Sequence, residues 1–503
     1  MKKIGIIDIG SNSIRLVIFR ISPAKNFSVI EDVKESVRLG EGVNKTGKLK
    51  VKKINLAYHT LKIFKGICDQ NETDEIIAFA TAAVRNATNS NRLIEKVENE
   101  LQMKMNIFSG EEEAYYSLLG ATNTLDEEEG LLIDMGGAST ELVWFKNRRV
   151  HKWVSLNFGS VTLAQVANVK EKLSDYAEKK LRKHVISEYE KVPWLKEVGD
   201  IPLIGVGGTI RNLAKVHSVM CEYPLNILHN YSLKDGDVNE VFEYIKKKNY
   251  IYKLEMPGLS KSRADIFTGA LCAVVELLNF TRLEMVIISG SGIREGVLYQ
   301  KLNEYGKHVE NVFESSLLDV VEHFDLSKER GERIYKIFMK IFESMKPLHG
   351  IPEIEEKVIR TASYLGRVGV NINYYDSPLH SFYTIINSGL KGIKHRKLLM
   401  AALIVSQQDK FNDMAKNYGS ILGKKDIKVM EKLSVMLRIS KIFNRVFLLD
   451  SDRLSIEVGD ESVTFHIENE DLLDVQISRV LMSGKRFRET FGRQLIVTKK
   501  KTD

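Results

Sequence analysis

The sequence predicts an α/β chain. Two mixed lobes face each other across a cleft, followed by an all-helical domain and a small α+β module. Three observations predict it. A segment near the start has an echo beginning at Ile133, short apolar runs lead into glycine turns and helices up to about residue 300, and helical periodicity takes over after about Leu302.

The echo is the most informative. Ile7-Asp8-Ile9-Gly10-Ser11-Asn12-Ser13-Ile14-Arg15-Leu16-Val17 is matched by Ile133-Asp134-Met135-Gly136-Gly137-Ala138-Ser139-Thr140-Glu141-Leu142-Val143, with six of eleven positions identical. Each copy is an apolar strand reaching an Asp, then a small-residue turn, then a returning apolar run, which is the pattern of a hairpin. Two lobes that each open with this hairpin are structurally equivalent. Residues 54–65 and 90–101 read as helices and Glu75 to Ala80 as a strand. In the second lobe Pro202 to Val206 and Met285 to Ser289 read as strands, and Ser262 to Asn279 as a long buried helix.

From Val309 to Phe447 the period is helical; Ile354, Val358, Ala362 and Leu365, for example, share one face. Leu454 to Val458 and Ser462 to Ile467 read as a hairpin around Gly459-Asp460. A helix from about Leu472 and a strand at Leu495 to Val497 complete the last module. These divisions put the lobes at 1–125 and 126–305, the helical domain at 306–450 and the small domain at 451–503.

The 503 residues exceed one compact core. A formal charge of +8, from 74 bases and 66 acids, suits an anionic partner without choosing among phosphorylated small molecules, nucleic acid and membrane. Cys68, Cys221 and Cys272 are too widely spaced for a disulfide framework or a metal knuckle. Asp8 interrupts the apolar run after Met1-Lys2-Lys3, so no signal peptide is expected, and no stretch is long enough to span a membrane. A cytosolic protein is expected.

Chemistry is concentrated in the turns. Gly10-Ser11-Asn12-Ser13 and Gly136-Gly137-Ala138-Ser139-Thr140 let backbone N–H groups approach phosphate oxygens, and their hydroxyls add donors. Asp8 and Asp134 repel phosphate, so their use is to hold Mg²⁺ or its water shell, and Glu141 can join Asp134 there. Ser109 and Glu112 form a capping box that also explains Glu111. Glu113 is left over as a candidate general base. Thr81-Ala82-Ala83-Val84-Arg85-Asn86 follows a strand, the usual place for an anion site, and Arg85 can neutralise charge on a transferred phosphoryl group. Gly205-Val206-Gly207-Gly208-Thr209 and Ser289-Gly290-Ser291-Gly292 follow strands without a Walker lysine and are expected to complete a phosphate wall. No zinc spacing and no nucleophile elbow occurs, which favours direct attack by water.

With these motifs in order, the chain resembles the exopolyphosphatase and guanosine pentaphosphate phosphatase family, within the actin-like ATPase superfamily. The carriers are Gly10 to Ser13 with Arg15, Ala80 to Arg85, Ser109 to Ala114, Asp134 to Glu141, and Gly207-Gly208-Thr209. The resemblance implies two actin-like, ribonuclease H-like lobes, with Glu113 as catalytic base, Asp134 and Glu141 at a Mg²⁺ or other divalent cation, and Arg15 and Arg85 on phosphate. It implies a homodimer. Ala138 departs from the family, where a third glycine is common. Long members carry an HD-like helical extension, but Ala362-Ser363-Tyr364-Leu365-Gly366-Arg367-Val368-Gly369 lacks the His-Asp pair, so the resemblance implies a degenerate metal site there.

The substrate expected first is inorganic polyphosphate, with a basic track from Lys485, Arg486, Arg488 and Arg493 to Lys499-Lys500-Lys501. The alternative is guanosine pentaphosphate (pppGpp). A sugar or acetate kinase-like enzyme, or an ATP-driven binding protein of the same superfamily, is a third reading, against which the Ser109–Ala114 motif argues. Neither nucleic acid nor membrane is an expected partner.

Overall fold

A computed structural model of the chain describes residues 1–167, 172–353, 355–406, 415–447, 451–468 and 474–499. They form two compact units, Met1–Glu310 and Asn311–Asp503.

In the first unit the duplication extends to whole sheets. Strands β1 (Lys2–Ile9), β2 (Ile14–Ile21), β3 (Phe27–Glu35), β4 (Glu75–Ala80) and β5 (Met105–Ile107) form one sheet in the order β3-β2-β1-β4-β5. Strands β6 (Gly130–Met135), β7 (Thr140–Lys146), β8 (Arg149–Leu156), β9 (Leu203–Val206), β10 (Ser232–Lys234) and β11 (Met285–Ile288) form the other. Read from β8, its order is β8-β7-β6-β9-β11-β10, the first sheet's order with one added edge strand. In both, an antiparallel meander is followed by parallel strands reached through helical crossovers. The central strands are apolar because they are covered on both faces. Ile4, Ile6, Ile7 and Ile9 of β1 are fully buried, as are Leu131, Leu132 and Ile133 of β6.

The covering helices are exchanged between the sheets. Helix Gly110–Thr122 follows the first sheet in sequence, yet its Ala114, Leu118 and Ala121 pack on Leu132, Val143, Ile204 and Ile287 of the second. Helix Ile293–Glu304 follows the second sheet and packs Val297, Leu298 and Leu302 on Ile4, Ile6, Val17 and Phe79 of the first. The two helices cross at glycines. A Cβ on Gly296 would stand 1.8 Å from the Tyr116 carbonyl oxygen, and one on Gly120 would stand 2.1 Å from that of Gly292. Only residues without a side chain let the backbones approach this closely.

The helices expected at 54–65 and 90–101 are Val51–Gln70 and Asn91–Leu101. The buried helix expected from Ser262 begins later. Lys261–Arg263 is a single 3₁₀ turn and the helix runs Phe267–Thr281. The side chains of the intervening stretch are engaged elsewhere: Asp265 accepts from Arg38 at 2.9 Å, and Arg263 donates to Thr209 at 3.1 Å.

The second unit is helical from Val312–His323 through Lys328–Ser344, Glu356–Leu365, Ser377–Asn387 and His395–Ser406 to Lys424–Phe447. Val358, Ala362 and Leu365 are fully buried on one face, as the period predicts, whereas Ile354 lies outside the described residues. The unit ends in a sheet of β12 (Leu454–Val458), β13 (Ser462–Ile467) and β14 (Gln494–Lys499), with β12–β13 antiparallel and β13–β14 parallel. Leu472, Lys500 and Lys501 lie outside the described residues, and the helix expected there is described as Asp474–Leu481. Among the described residues no helix is long and apolar enough to cross a membrane.

Candidate active site

The two echoed hairpins have the same turn. Gly10 N–H donates to the Ser13 carbonyl at 3.1 Å, and Gly136 N–H donates to the Ser139 carbonyl at 3.0 Å. The register then sets Asp8 opposite Arg15 and Asp134 opposite Glu141. The turns approach each other across the unit, where a Cβ on Gly137 would lie 2.8 Å from that of Ser11.

Between them is a cavity of about 170 Å³. It is lined by Asp8, Gly10, Ser11, Asn12, Ser13 and Arg15 from the first hairpin and by Asp134, Gly136, Gly137, Ser139 and Glu141 from the second. Glu113, Gly207 and Gly208 also line it. Gly207 has φ of +87°, and a Cβ there would come within 2.8 Å of the Asp134 carboxylate. Its left-handed backbone therefore keeps the carboxylate in place and leaves the start of the next helix open.

Four expected residues stand back from the lining. Thr140 donates to the Phe158 carbonyl at 2.7 Å, Thr209 accepts from Arg263, and Ala138 also lies outside the wall. Arg85 donates to the Phe108 carbonyl at 2.6 Å and to the Glu113 carboxylate. The capping box is formed, with Ser109 accepting from Glu112 N–H at 3.1 Å and Glu112 accepting from Ser109 N–H at 2.8 Å. It turns Glu113 inward, where it is 7% exposed.

Sequence reasoning missed most of the cations. Lys34, Arg211, Arg263 and Arg294 all line the cavity. Arg211 lies one turn into helix Gly207–Met220 and Arg294 in the first turn of Ile293–Glu304, so helical spacing from Gly207 and Gly292 held a usable signal. Lys34 at the end of β3 and Arg263 in its 3₁₀ turn carry none. From the second Asp-x-Gly segment of the wall, Glu141 accepts from Ser155 at 2.9 Å and Asp134 accepts from Ser117.

Burial dominates the electrostatics. It pushes the Glu113 carboxyl up to about 7, against the pull of Arg85 and with help from Asp134 and Asp8. Asp8 is raised to about 6, mainly by burial, with Arg294 opposing. Burial, Glu113 and Asp134 hold Glu141 well above the usual carboxylate range, and burial raises Asp134 against the Ser117 hydrogen bond. The bases move the other way: burial lowers Arg263 to about 10, burial and Arg294 lower Arg211 to about 10, and burial and Arg263 lower Lys34 to about 8. Among the described residues, neither polar atom of the buried Asn12 amide nor the Nε of Arg294 has a hydrogen-bond partner. Unpaired buried donors beside clustered cations mark a site shaped for an anion.

A duplicated two-lobed fold, with facing small-residue turns, arginines and a buried glutamate, defines a hydrolase of phosphoanhydride bonds. The chain belongs to the Ppx/GppA phosphatase family: the family's model matches residues 17–305, and the model of its domain III matches residues 312–474. A guanosine-5'-triphosphate,3'-diphosphate pyrophosphatase of Aeromonas hydrophila is 25% identical over 448 residues, covering 86% of each chain. A bifunctional 3-dehydroquinate synthase/phosphatase of Fusobacterium nucleatum is 32% identical over 56% of this chain and 44% of its own. Among solved structures, an exopolyphosphatase from Cytophaga hutchinsonii matches with TM-score 0.57 and 25% identity, over 62% of this chain and 100% of its own. The Aquifex aeolicus family member matches with TM-score 0.54 and 26% identity, over 61% and 99%.

Proposed function

We propose that the cleft releases the terminal phosphate of inorganic polyphosphate by direct attack of water. The observation that carries this is the lining itself: among the described residues it is mainly glycine, hydroxyl, amide, carboxylate and cation, with Ala82, Met135, Val206 and Ile293 but no aromatic ring for a base to stack on. In this reading Glu113 accepts the proton of the attacking water, and its raised affinity for protons suits that task near neutral pH. Arg85 holds the Glu113 carboxylate in position. The turn N–H groups, Ser11, Asn12, Ser13, Ser139, Arg15, Arg211, Arg263 and Arg294 bind phosphate oxygens and spread the charge that builds on the transferred group.

A divalent cation fits the donor chemistry. Asp134 repels both Asp8 and Glu141 in one cavity, and a cation between them would relieve that repulsion. Mg²⁺ keeps several waters and binds through one or two carboxylates plus substrate phosphates, a donor set this cavity can supply with substrate bound. When bound it would neutralise phosphate charge. Activity is expected to stop in EDTA; full activity in chelator removes the cation from the mechanism.

The second reading is pppGpp hydrolysis, favoured by guanosine-5'-triphosphate,3'-diphosphate pyrophosphatases that are 25% identical and align with 86–87% of this chain. Phosphate release from long polyphosphate and from pppGpp, each at several concentrations in one assay, ranks the two. A kcat/KM for pppGpp above that for polyphosphate makes the alarmone the preferred substrate and reverses the ranking. The same reading takes the helical unit as an HD-like domain without its metal and the enzyme as a cytoplasmic homodimer. A monomer in sedimentation equilibrium would contradict the dimer.

A further inference from the structure

The helical unit has a cavity of its own, of about 200 Å³, whose largely apolar wall, with Leu326, Ile334 and Val370, also carries Arg330, Ser363, Arg367 and Lys441. Arg330 comes from helix Lys328–Ser344, Ser363 from Glu356–Leu365 and Lys441 from Lys424–Phe447, so three packed helices converge on it. Lys441 donates to the Gly366 carbonyl at 3.3 Å, and a Cβ at Gly366 would lie 2.6 Å from its Nζ. The glycine is thus what admits the ammonium. Gly366 and Arg367 stand where an HD-type ligand pair would be expected.

The charges are unbalanced. Among the described residues the half-buried Arg330 and Lys441 and the exposed Arg367 make no ion pair, and Asp325 is exposed. Burial, Arg330 and Arg367 hold the Lys441 ammonium down to about 7, and burial and Arg367 lower Arg330 as well. Ser363 is 3% exposed, and among the described residues neither its hydroxyl nor the Nε of Arg330 has a hydrogen-bond partner. Unpaired cations beside orphaned buried donors are also what the active cleft presents, and leaving them unsatisfied is costly.

We propose that this cavity binds a compact phosphate-class anion, either inorganic phosphate or the phosphate end of a small phosphomonoester. The anion would accept from Ser363 Oγ, Arg330 and Lys441, with Arg367 closing the exposed side. The volume excludes a long phosphate chain lying wholly inside.

Equilibrium dialysis of the full chain with labelled inorganic phosphate tests this, with parallel arms in pyrophosphate and a nucleoside monophosphate at matched ionic strength. Ser363→Ala removes one unpaired donor without disturbing a hydrogen bond, so it is expected to fold normally. It should weaken phosphate binding several-fold, on the order of one lost hydrogen bond to an ion. Arg330→Met with Lys441→Met should weaken it by about tenfold or more. It should also melt higher than the parent without anion and no longer gain from phosphate. A nucleoside monophosphate that binds more tightly than phosphate identifies an ester as the ligand. Phosphate binding equal to the parent in Ser363→Ala and in the double variant overturns the proposal, as does a parent chain whose binding is all abolished by changing Arg211 and Arg294.

Discussion

Glu113 is bonded to Arg85 and nearly closed from solvent, so its charge state depends on what else occupies the cavity. Replacing it with Gln keeps the shape and removes the base. Glu113→Gln should bind substrate while turnover falls by roughly two to four orders of magnitude. Near-normal turnover, with Glu112→Gln inactive, would place the base one residue earlier. The free enzyme should also record these carboxyls in its stability. Asp8 and Glu113 bind protons more tightly folded than unfolded, at about 6 and about 7, so the folded state holds more protons between the ordinary carboxylate range and neutrality. Stability measured in chelator should therefore fall as pH rises from about 4 through about 7, with the raised Glu141 adding to the fall, and Glu113→Gln should flatten the slope. A stability that rises across this window in both proteins would contradict the assignment. The hairpin residues were legible in the sequence because a turn is local and its repeat is visible. Arg263 and Lys34 were not, because only the packing of distant segments brings them to the cavity.

At the level of elements, the strands and hairpins were read nearly to the residue, since period and turn chemistry coincide in them. Glu75–Ala80, Leu454–Val458 and Ser462–Ile467 are the expected ranges. The exchange of helices Gly110–Thr122 and Ile293–Glu304 was not readable, because an apolar face does not name the sheet it will cover. Their crossing gives a test. Gly296→Ala places a methyl against the backbone of Tyr116, which cannot rotate away as a side chain could. A loss of about 1–3 kcal/mol or more is expected in denaturant unfolding. An unchanged midpoint would mean that the two backbones do not meet at this glycine.

For the molecule as a whole, the net charge of +8 matters through its distribution. A long polyanion bound along many bases releases counterions, and by analogy with nucleic acids each neutralised phosphate adds roughly 0.7–0.9 to the slope of log affinity against log salt. Lys485 and Arg488 are exposed on helix Gly484–Phe491, whereas Arg493 is turned onto the Gly459 carbonyl at 3.2 Å. If residues 306–503 serve as a track, removing them should weaken long chains far more than short ones and turn processive shortening distributive. Neutralising Lys485, Arg486 and Arg488 together should go part of the way. Equal loss for long and short chains would leave the extension no role in holding substrate, and pppGpp would gain as the substrate.

The crossed helices have one more consequence, for dissection of the gene product. Each half of the duplicated unit carries the lid that the other half needs, so the chain can be severed between the halves without either piece being whole. Polypeptides 1–125 and 126–310 should each be insoluble or unfolded when made alone, because Leu118 and Leu298 would be left facing water. Made together they should associate and regain the far-ultraviolet dichroism of the uncut unit, a natural split protein whose reassembly reports on helix exchange. Two soluble, independently melting fragments would show that the exchange is dispensable.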